Sequence, residues 1–425
     1  MLGAQLPLVS ALPFVALLLA IALAPLAAPT WWHHNRNKAL VAFLISVPVL
    51  LYLGRTDIGR QLLLEKAHEY AGFIVVIGAL FMITGGIHIE GSLAGTPLVN
   101  TAMLAIGAVL CNLLGTTGAS VLLIRPLLRA NKRGKRVAHI VMFFIFIVGN
   151  CGGLLTPIGD PPLLLGFLKG VPFTWTLRLW PQWLALNGVL LILFTLWDRW
   201  ALNRDEVELP GSQHAEVLIH EPLRVRGAIE LAALAGVMAT IITSGSLLAI
   251  LIFAFIAYFL GSQERRTLNV FTFVPLVEVA VLFAAIFITM TPVLEILNAR
   301  AADFGLTSPQ QFFWASGTLS SVLDNAPTYL AFAASAAGLQ GIPPHGPYIG
   351  ALAVDPQAAK LLAAISTGSV FMGANTYIGN APNFMVRAIA LEHGVAMPSF
   401  FGYMAYSMGI LLPLFLLIAV LFFES

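Results

Sequence analysis

The chain has 425 residues, of which 59% are hydrophobic and only 10% are Asp, Glu, Lys or Arg. Soluble domains carry about 25% charged residues, so this chain has too few charges to cover a water-facing surface of its size. Its formal net charge of +2 offers no basic surface for nucleic acid. These numbers exclude a soluble enzyme, a disordered chain and a nucleic-acid-binding protein, and they indicate a protein embedded in the lipid bilayer.

Apolar segments long enough to cross a membrane, which takes about 20 residues, recur along the chain. The first is longer than a signal-peptide core and precedes the first basic residue, Arg36, so we interpret it as a retained membrane helix. The predicted order in the first half is 8–28, 38–54, 68–88, a Gly-rich segment at about 98–126, an interrupted stretch near 137–169, and 178–198. After a polar linker at 199–226 come 227–243, 246–260, 273–295, a Gly/Ala/Pro-bearing segment near 310–335, an interrupted stretch near 359–391, and 398–422.

The two halves also share sequence. The segment Thr156–Pro162 (TPIGDPP) recurs as Thr376–Pro382 (TYIGNAP), 220 positions later, and Val109–Asn112 (VLCN) recurs as Val322–Asn325 (VLDN), 213 positions later. Because both matches occur in the same order and context, we infer a duplication. Residues 1–198 form the first repeat, 199–226 a cytoplasmic linker and 227–425 the second repeat.

If the segments at about 98–126 and 310–335 are re-entrant hairpins, each half crosses the membrane five times. An odd number inverts the second half, as in many secondary transporters. The predicted fold is therefore an all-α polytopic membrane protein with two inverted repeats, each containing a re-entrant hairpin and an unwound helix.

Basic residues predict the orientation, because cytoplasmic loops are enriched in Lys and Arg. One side would carry 14 of them and the other 7, which makes the first side cytoplasmic and places both termini outside. The expected location is a bacterial inner membrane. The cytoplasmic set is Arg36, Lys38, Arg125, Arg129, Lys132, Arg133, Lys135, Arg136, Arg199, Arg204, Arg224, Arg226, Arg265 and Arg266. The external set is Arg55, Arg60, Lys66, Lys169, Arg178, Arg300 and Lys360.

Four segments demand non-helical backbone at membrane depth, which is tolerated only inside protein or around a water-filled cavity. They are the hairpin tips at 115–120 and 324–328 and the breaks at 150–162 and 373–383. Freed carbonyls and half-helix ends at such breaks are natural ion ligands. Gly, Pro, Thr and Asn in membrane helices more often serve packing, but four clusters in symmetric register favour a functional site.

Two carboxylates mark that site, because an acidic group at mid-membrane is a functional candidate by default. Asp160 lies in the first break and Asp324 at the second hairpin tip; their repeat counterparts are Asn380 and Cys111. No Lys or Arg lies within a break or tip, and Arg125 and Arg387 come several residues beyond. Such carboxylates suit Na⁺ or Li⁺ and allow a proton to compete, so Asp160 and Asp324 are the candidate metal ligands, with no other cofactor expected. The remaining predicted binding residues are Asn112, Thr116, Thr117, Asn150, Thr156, Gly159, Asn325, Thr376, Gly379 and Asn380.

Other features carry less weight. Cys111 and Cys151 lie in apolar stretches and suggest neither a disulfide framework nor a zinc site. The run 115–120 could suggest a phosphate-cradling loop, but it lacks the required Lys and flanking strand. Glu230 and Glu278 begin predicted spans, where a carboxylate suits the helix dipole or the interface.

These motifs resemble the ion-transporter superfamily, which includes divalent-anion/sodium symporters, citrate–metal transporters, arsenite permeases and NhaD-type sodium/proton antiporters. Thr156–Asp160 is similar to the antiporters' (Ser/Thr)-Pro-Ile-Gly-Asp element, and Val322–Pro327 (VLDNAP) to their Leu-Asp-Asn-(Ile)-Pro tip. The symporters' Ser-Asn-Thr tips are absent here. The chain departs from the antiporter pattern in the first hairpin, where Cys111-Asn112 replaces Asp-Asn. The resemblance implies a scaffold domain and a transport domain that moves relative to it, often in a homodimer.

Our leading hypothesis from sequence is a sodium/proton antiporter in which Na⁺ and H⁺ compete for Asp160 and Asp324. The alternative is a cation-coupled citrate or dicarboxylate transporter, in which cations held by the aspartates bring the anion in. A multispan enzyme or a non-transporting scaffold is the third possibility. The sequence shows neither a metal-ligand cluster nor a nucleophile–base pair that would support an enzyme. A channel fits inverted repeats with paired breaks less well than alternating access does.

Overall fold

The computed structural model describes residues 2–91, 93–132, 136–208, 224–243 and 245–424. Nearly all regular structure in these residues is helical, and seven stretches are long and apolar enough to cross a membrane. The protein is therefore an all-α polytopic membrane protein, as the sequence predicted. The seven stretches are Leu8–Ala27, Asn35–Leu53, Asp57–Thr84, Pro97–Ala130, Phe173–Asp205, Val274–Ala299 and Phe400–Phe423.

The first half consists of α1 (Leu2–Gln5), α2 (Leu12–Ala27), α3 (Pro29–Trp32), α4 (Asn35–Leu53), α5 (Asp57–Thr84), β1 (His88–Glu90), α6 (Pro97–Ala130), α7 (Ala138–Ile147), α8 (Pro161–Leu168) and α9 (Trp180–Glu208). Short 3₁₀ turns cover Leu8–Ala11, Cys151–Leu154 and Phe173–Leu179. Of the predicted linker, 199–208 continues α9, whereas 209–223 lies outside the described residues.

The second half consists of β2 (Arg224–Arg226), α10 (Ala228–Thr243), α11 (Leu247–Leu260), α12 (Gln263–Leu268), α13 (Val274–Ala299), α14 (Pro309–Ser320), α15 (Asn325–Leu339), α16 (Tyr348–Val354), α17 (Pro356–Met372), α18 (Ala381–Glu392) and α19 (Phe400–Phe423). Helices α10 and α11 have 16 and 14 residues, so they measure only about 24 and 21 Å. Both are shorter than a full span of about 30 Å, and five crossings in this half remain a prediction.

Capping residues explain where several helices begin. Thr56, Thr96 and Asp355 accept hydrogen bonds from the first-turn amides of α5, α6 and α17, and Pro97 and Pro356 occupy the first position, where no amide donor is needed. Ser308 and Gln311 form a complete capping box at α14. The boundaries of the hairpins and the last broken helix are therefore encoded locally.

Helix α6 folds back on itself as a hairpin. Gly115 has φ of +74° and ψ of 157°, a conformation that interrupts the helix and favours glycine. Asn100 Nδ2 lies 3.0 Å from Asn131 Oδ1, although 31 residues of straight helix would span about 46 Å. A Cβ on Gly107 would lie 3.1 Å from Leu123 Cδ1. Length and composition alone would make α6 a span, but its arms, 97–114 and 116–130, instead form the expected re-entrant hairpin.

Helices α14 and α15 form the second hairpin. The chain leaves α14 after Ser320 and enters α15 at Asn325, with Asp324 as the N-cap residue. The rings of Phe312 and Phe332 lie 6.4 Å apart, edge to face, although 20 residues separate them. This segment therefore also turns back at its tip, as predicted.

Two broken helices complete the repeat. Helices α7 and α8 are separated by 148–160, and α17 and α18 by 373–380. In each break two glycines approach closely, Gly153 with Gly159 and Gly373 with Gly379. Both pairs are related by 220 positions, the offset read from the sequence.

The hairpins are related by a different offset from the one the sequence match suggested. Thr156 Oγ1 donates to Asn112 O and Thr376 Oγ1 donates to Ser321 O, each at 2.6 Å. Because Thr156 and Thr376 are equivalent, Asn112 corresponds to Ser321, an offset of 209. Asp324 then corresponds to Gly115, and our assignment of Cys111 as its counterpart is wrong by about one helical turn.

The two repeats are inverted relative to each other. Helices α5 and α13 each precede a hairpin, so they are corresponding elements. The rings of Tyr70 and Phe287 lie 5.9 Å apart, whereas a Cβ on Gly78 would lie 3.6 Å from Leu276. Residue numbers thus rise along α5 while they fall along α13, which means that the helices run antiparallel.

We assign most of the helices to two groups, which also pack extensively against each other. We call α2, α4, α5, α10, α11 and α13 the six-helix group, in which α13 packs on α2, α4 and α5, and α5 packs on α10 and α11. We call α6–α8 and α14–α18 the hairpin group, in which α17 packs on α14 and α15 while α15 packs on α8. The groups meet where α13 contacts α15 and where α5 contacts α6 and α8.

Contacts also sort the charges by side. At one end β1 pairs with β2, Arg129 donates to Ile89 O and Arg265 donates to Gly86 O. At the other, Lys169 contacts Glu65 and Arg300 donates to Leu6 O. These residues fall into the two sets that the sequence analysis assigned to opposite sides; Arg133 and Lys135 lie outside the described residues.

Candidate functional site

The site is built around Asp160, which is 1% exposed and is the residue that precedes α8. Its Oδ1 accepts hydrogen bonds from Thr116 Oγ1 at 2.7 Å and from Asn380 Nδ2 at 2.9 Å. Its Oδ2 accepts one from Asn325 Nδ2 at 2.5 Å. Both hairpin tips and the second break therefore converge on one carboxylate.

The local fold explains why Thr116 reaches it. Gly115 adopts a left-handed conformation, and the next amide, that of Thr116, donates to Gly159 O at 2.9 Å. This bond ties the start of the second arm of α6 to the residue before Asp160. Thr116 and Asn325 are equivalent by the offset of 209, so the two tips present matching positions to Asp160.

Several predicted site residues hold the backbone of the breaks. Asn112 donates to Gly152 O at 2.7 Å and accepts from Leu155 N at 2.8 Å. The hydroxyls of Thr156 and Thr376 donate hydrogen bonds to backbone carbonyls of the neighbouring hairpin, as described above. These side chains fix the shape of the site and are already engaged.

Asn150 lies between the two breaks. Its Nδ2 donates to Asn383 Oδ1 at 2.7 Å, and its Oδ1 accepts from Asn380 Nδ2 at 3.2 Å. Asn380 thus bridges Asn150 and Asp160. Asp160 and Asn380 are equivalent positions of the two repeats, 220 residues apart. The hydrogen bond between them therefore lies close to the pseudo-twofold axis that relates the repeats.

Asp324 is at the tip of the second hairpin, as predicted, but its surroundings differ from those of Asp160. Its carboxylate accepts from Ala326 N at 3.0 Å as the N-cap of α15, and the residue is partly exposed. In the part of the chain that the structure describes, neither aspartate forms an ion pair. Asp160 is therefore enclosed, whereas Asp324 is reachable.

The structure brings most predicted site residues together. Asp160, Thr116, Asn325, Asn380 and Asn150 form the hydrogen-bonded centre. Gly159 and Gly379 face Gly153 and Gly373, where a Cβ would clash with carbonyl oxygens. Thr117 is partly exposed beside Thr116 and takes no part in the hydrogen bonds to Asp160.

Sequence reasoning missed two residues. Asn383 is fully buried and donates to Gly373 O and Thr376 O, each at 2.9 Å, so it holds the second break. Its position three residues after Asn380, on one face of α18, was an available signal. Arg387 lies further along that face, and its guanidinium carbon is 5.0 Å from the ring centre of Tyr377. A cation therefore lies beside the second break, which its sequence position did not reveal.

The donor set fits a small hard cation. Carboxylate, amide and hydroxyl oxygens are its preferred ligands, and Asn325 Oδ1 is buried without a hydrogen-bond partner beside Asp160. Within the described ranges no group of three or more His, Cys, Asp and Glu is placed to hold a metal. The carboxylate, hydroxyl and amides at the centre are the residues that would hold Na⁺ or Li⁺.

Inverted repeats, paired re-entrant hairpins and broken helices that meet at a buried carboxylate define a multispan membrane transporter. The sequence model of the family described as "Putative citrate transport" matches residues 3–423. The chain belongs to this family, a citrate-transporter-like group of membrane carriers. No curated protein matches the chain.

Proposed function

We propose that the protein is a sodium/proton antiporter that works by alternating access. The observation that carries the proposal is Asp160, a buried carboxylate that accepts three hydrogen bonds and has no cationic partner among the described residues. A group of this kind in a membrane segment is a functional candidate. Its three donors come from both hairpins and the second break, so its occupancy is linked to every element expected to move.

The amides explain how one site could serve two ions. An Asn side chain presents either its NH₂ donor or its carbonyl acceptor, depending on its rotation. With the site empty, Asn325 and Asn380 donate to Asp160. With Na⁺ bound, rotated amides would present oxygen to the ion, whereas a proton would occupy the carboxylate directly. The two ions therefore exclude each other, which is the requirement for exchange.

The test uses purified protein in proteoliposomes that carry a pH gradient and a fluorescent pH reporter. Addition of Na⁺ or Li⁺ should dissipate the gradient, whereas choline should not. Asp355→Asn is the matched control, because Asp355 caps α17 outside the site and Asn also caps well. Absence of cation-driven dissipation with wild-type protein would overturn the proposal.

A second function, cation-coupled transport of citrate or a dicarboxylate, is favoured by the family description and by Arg387. The guanidinium stacks on Tyr377, and its Nε is buried without a hydrogen-bond partner. Arginine is well suited to carboxylates. An anion near the second break would thus meet a cation in addition to the ions held by Asp160 and Asp324.

Uptake of labelled citrate and succinate into the same proteoliposomes distinguishes the two functions. Carboxylate transport predicts saturable uptake that requires Na⁺ and falls at least about tenfold in Arg387→Gln, the scale of one charge-assisted hydrogen bond. The antiporter predicts no uptake and unchanged cation-driven dissipation in that variant. A homodimer and a bacterial inner-membrane location remain proposals.

A further inference from the structure

A second cluster of charged residues lies away from the site, between the two helix groups. We call it the interface cluster: Glu65, Lys66 and Glu69 on α5, Glu295 on α13, Lys169 after α8, and His345 before α16. The side chains of Lys66 and Lys169 are 5% and 4% exposed, so both ammonium groups are buried. The mechanism proposed above uses none of these residues.

The contacts cross from one group to the other. Lys169 Nζ bonds Glu69 and lies 3.5 Å from Glu65 Oε1. Glu65 Oε1 also accepts from Gly346 N at 2.9 Å, and His345 Nδ1 lies 3.6 Å from Glu295 Oε1. Lys169, His345 and Gly346 belong to the hairpin group, and their partners belong to the six-helix group.

This arrangement would oppose sliding of one group against the other. Removing one partner from a buried ion pair is strongly destabilising, because the remaining charge is left uncompensated. A movement that separates α8 from α5 would expose Lys169, Glu65 and Glu69 together. These three side chains could separate only if water or new partners replaced the contacts that they lose.

The cluster lies at the end of the proposed transport path where α8 ends. Lys169 follows α8, whose first residue adjoins Asp160, so eight helical residues, or about 12 Å, separate the cluster from the site. By the offset of 220, the position equivalent to Lys169 is Ile389 on α18, which is apolar. The two repeats therefore share an inverted backbone fold, but only the first has a basic side chain at this position.

We infer that the interface cluster is a latch, which holds the hairpin group against the six-helix group at the end predicted to be external and must open in every transport cycle. This inference rests on the proposed function in that it assumes alternating access, whichever ion or carboxylate is carried. Because the equivalent end lacks Lys169, the latch favours one of the two states.

Cross-linking tests the latch directly. Glu65→Cys with His345→Cys places thiols on both sides of the interface at exposed or partly exposed positions, and Asp57→Cys with Arg60→Cys is the control. Asp57 and Arg60 form an exposed 3.3 Å ion pair within α5, and thus within the six-helix group. The native thiols Cys111 and Cys151 are fully buried, so a hydrophilic bis-methanethiosulfonate should reach the introduced pairs first.

Linking the interface pair should lower transport at least tenfold, and a reductant should restore it. Linking the control pair should change transport less than twofold. If the interface-linked protein transports at the unlinked rate, the cluster does not open during the cycle and the inference is wrong.

A second measurement does not depend on transport. Hydrogen exchange of Lys169→Gln and Lys38→Gln is followed by mass spectrometry in proteoliposomes. Lys38 and Glu278 form a 2.6 Å ion pair within the six-helix group, between α4 and α13. The latch predicts faster exchange at 345–354 in Lys169→Gln only. Equal exchange in both variants overturns the latch even where transport is observed. A wild-type protein that transports no tested ion or carboxylate but gives the expected exchange difference refutes the proposed function and leaves the latch standing.

Discussion

At the scale of single residues, Asp160 is the most constrained group in the site. Three donors from separate segments hold its carboxylate, whereas Asp324 has one backbone amide. The Asp160→Asn variant has no negative charge at this position. Its NH₂ group would face either the donor of Asn325 or the donors of Thr116 and Asn380. We expect the Na⁺-driven dissipation of the pH gradient to fall at least about tenfold, the scale of one hydrogen bond to a charged group, because the variant has no carboxylate here to hold either Na⁺ or the proton.

Titrations of Na⁺ in proteoliposomes check this expectation, with Asp355→Asn as the control that should match wild type. Asp324→Asn should have a smaller effect than Asp160→Asn, because Asn also accepts the N-cap bond from Ala326. Full exchange by Asp160→Asn would remove this residue from the mechanism.

Sequence reasoning succeeded for residues whose importance follows from their own chemistry. Asp160, Asn325 and Asn380 were predicted because polar groups in membrane segments are costly. Asn383 and Arg387 were missed as site residues, because their roles depend on the way α18 packs. Arg387 stacks on Tyr377 because the second break places the Tyr377 ring beside α18. A single sequence does not reveal where that ring lies.

At the scale of elements, Gly115 allows the tip of the first hairpin to form. Its φ of +74° is strained for any residue with a side chain, and a Cβ would lie 3.2 Å from Ile158 O. We expect Gly115→Ala to lower stability by about 1–3 kcal/mol and to weaken cation binding, since the Thr116 amide and hydroxyl move with it. Gly188→Ala is the control, because Gly188 lies within α9 with no atom near its Cβ position.

Thermal unfolding in detergent measures both variants. Gly188→Ala should be neutral or up to about 1 kcal/mol more stable, because alanine has the higher helix propensity. A Gly115→Ala protein as stable as wild type, with unchanged Na⁺ dependence, would show that the left-handed turn is not required.

Elements were predictable where breakers and caps define them. The hairpins and broken helices lie close to their expected positions because Gly115, Pro309 and the flanking caps act locally. The relation between the hairpins was not predictable from the short match, because VLCN and VLDN align four residues away from the true correspondence. The hydrogen bonds of Thr156 and Thr376 to the two hairpins reveal the offset of 209 instead.

At the scale of the whole molecule, the contacts test whether the predicted topology is self-consistent. Helices α5 and α13 run antiparallel, as inverted repeats require, and charged residues gather at two ends of the molecule. The residues that the sequence grouped by side are also grouped by contact, but contacts do not say which end faces the cytoplasm. That assignment depends on the excess of Lys and Arg at one end. A pseudo-symmetric carrier with the opposite orientation would have the same internal contacts.

Single introduced cysteines decide the orientation. Gln263 is exposed on α12 at the basic end, and Asp303 is exposed in the turn after α13 at the other end. We expect a membrane-impermeant maleimide to label Asp303→Cys in intact cells and Gln263→Cys only after permeabilisation. Wild type is the control, because Cys111 and Cys151 are 0% exposed and should not react in the folded protein. The reverse pattern would invert the topology and place the interface cluster on the cytoplasmic side, while its contacts with α8 and α16 would be unchanged.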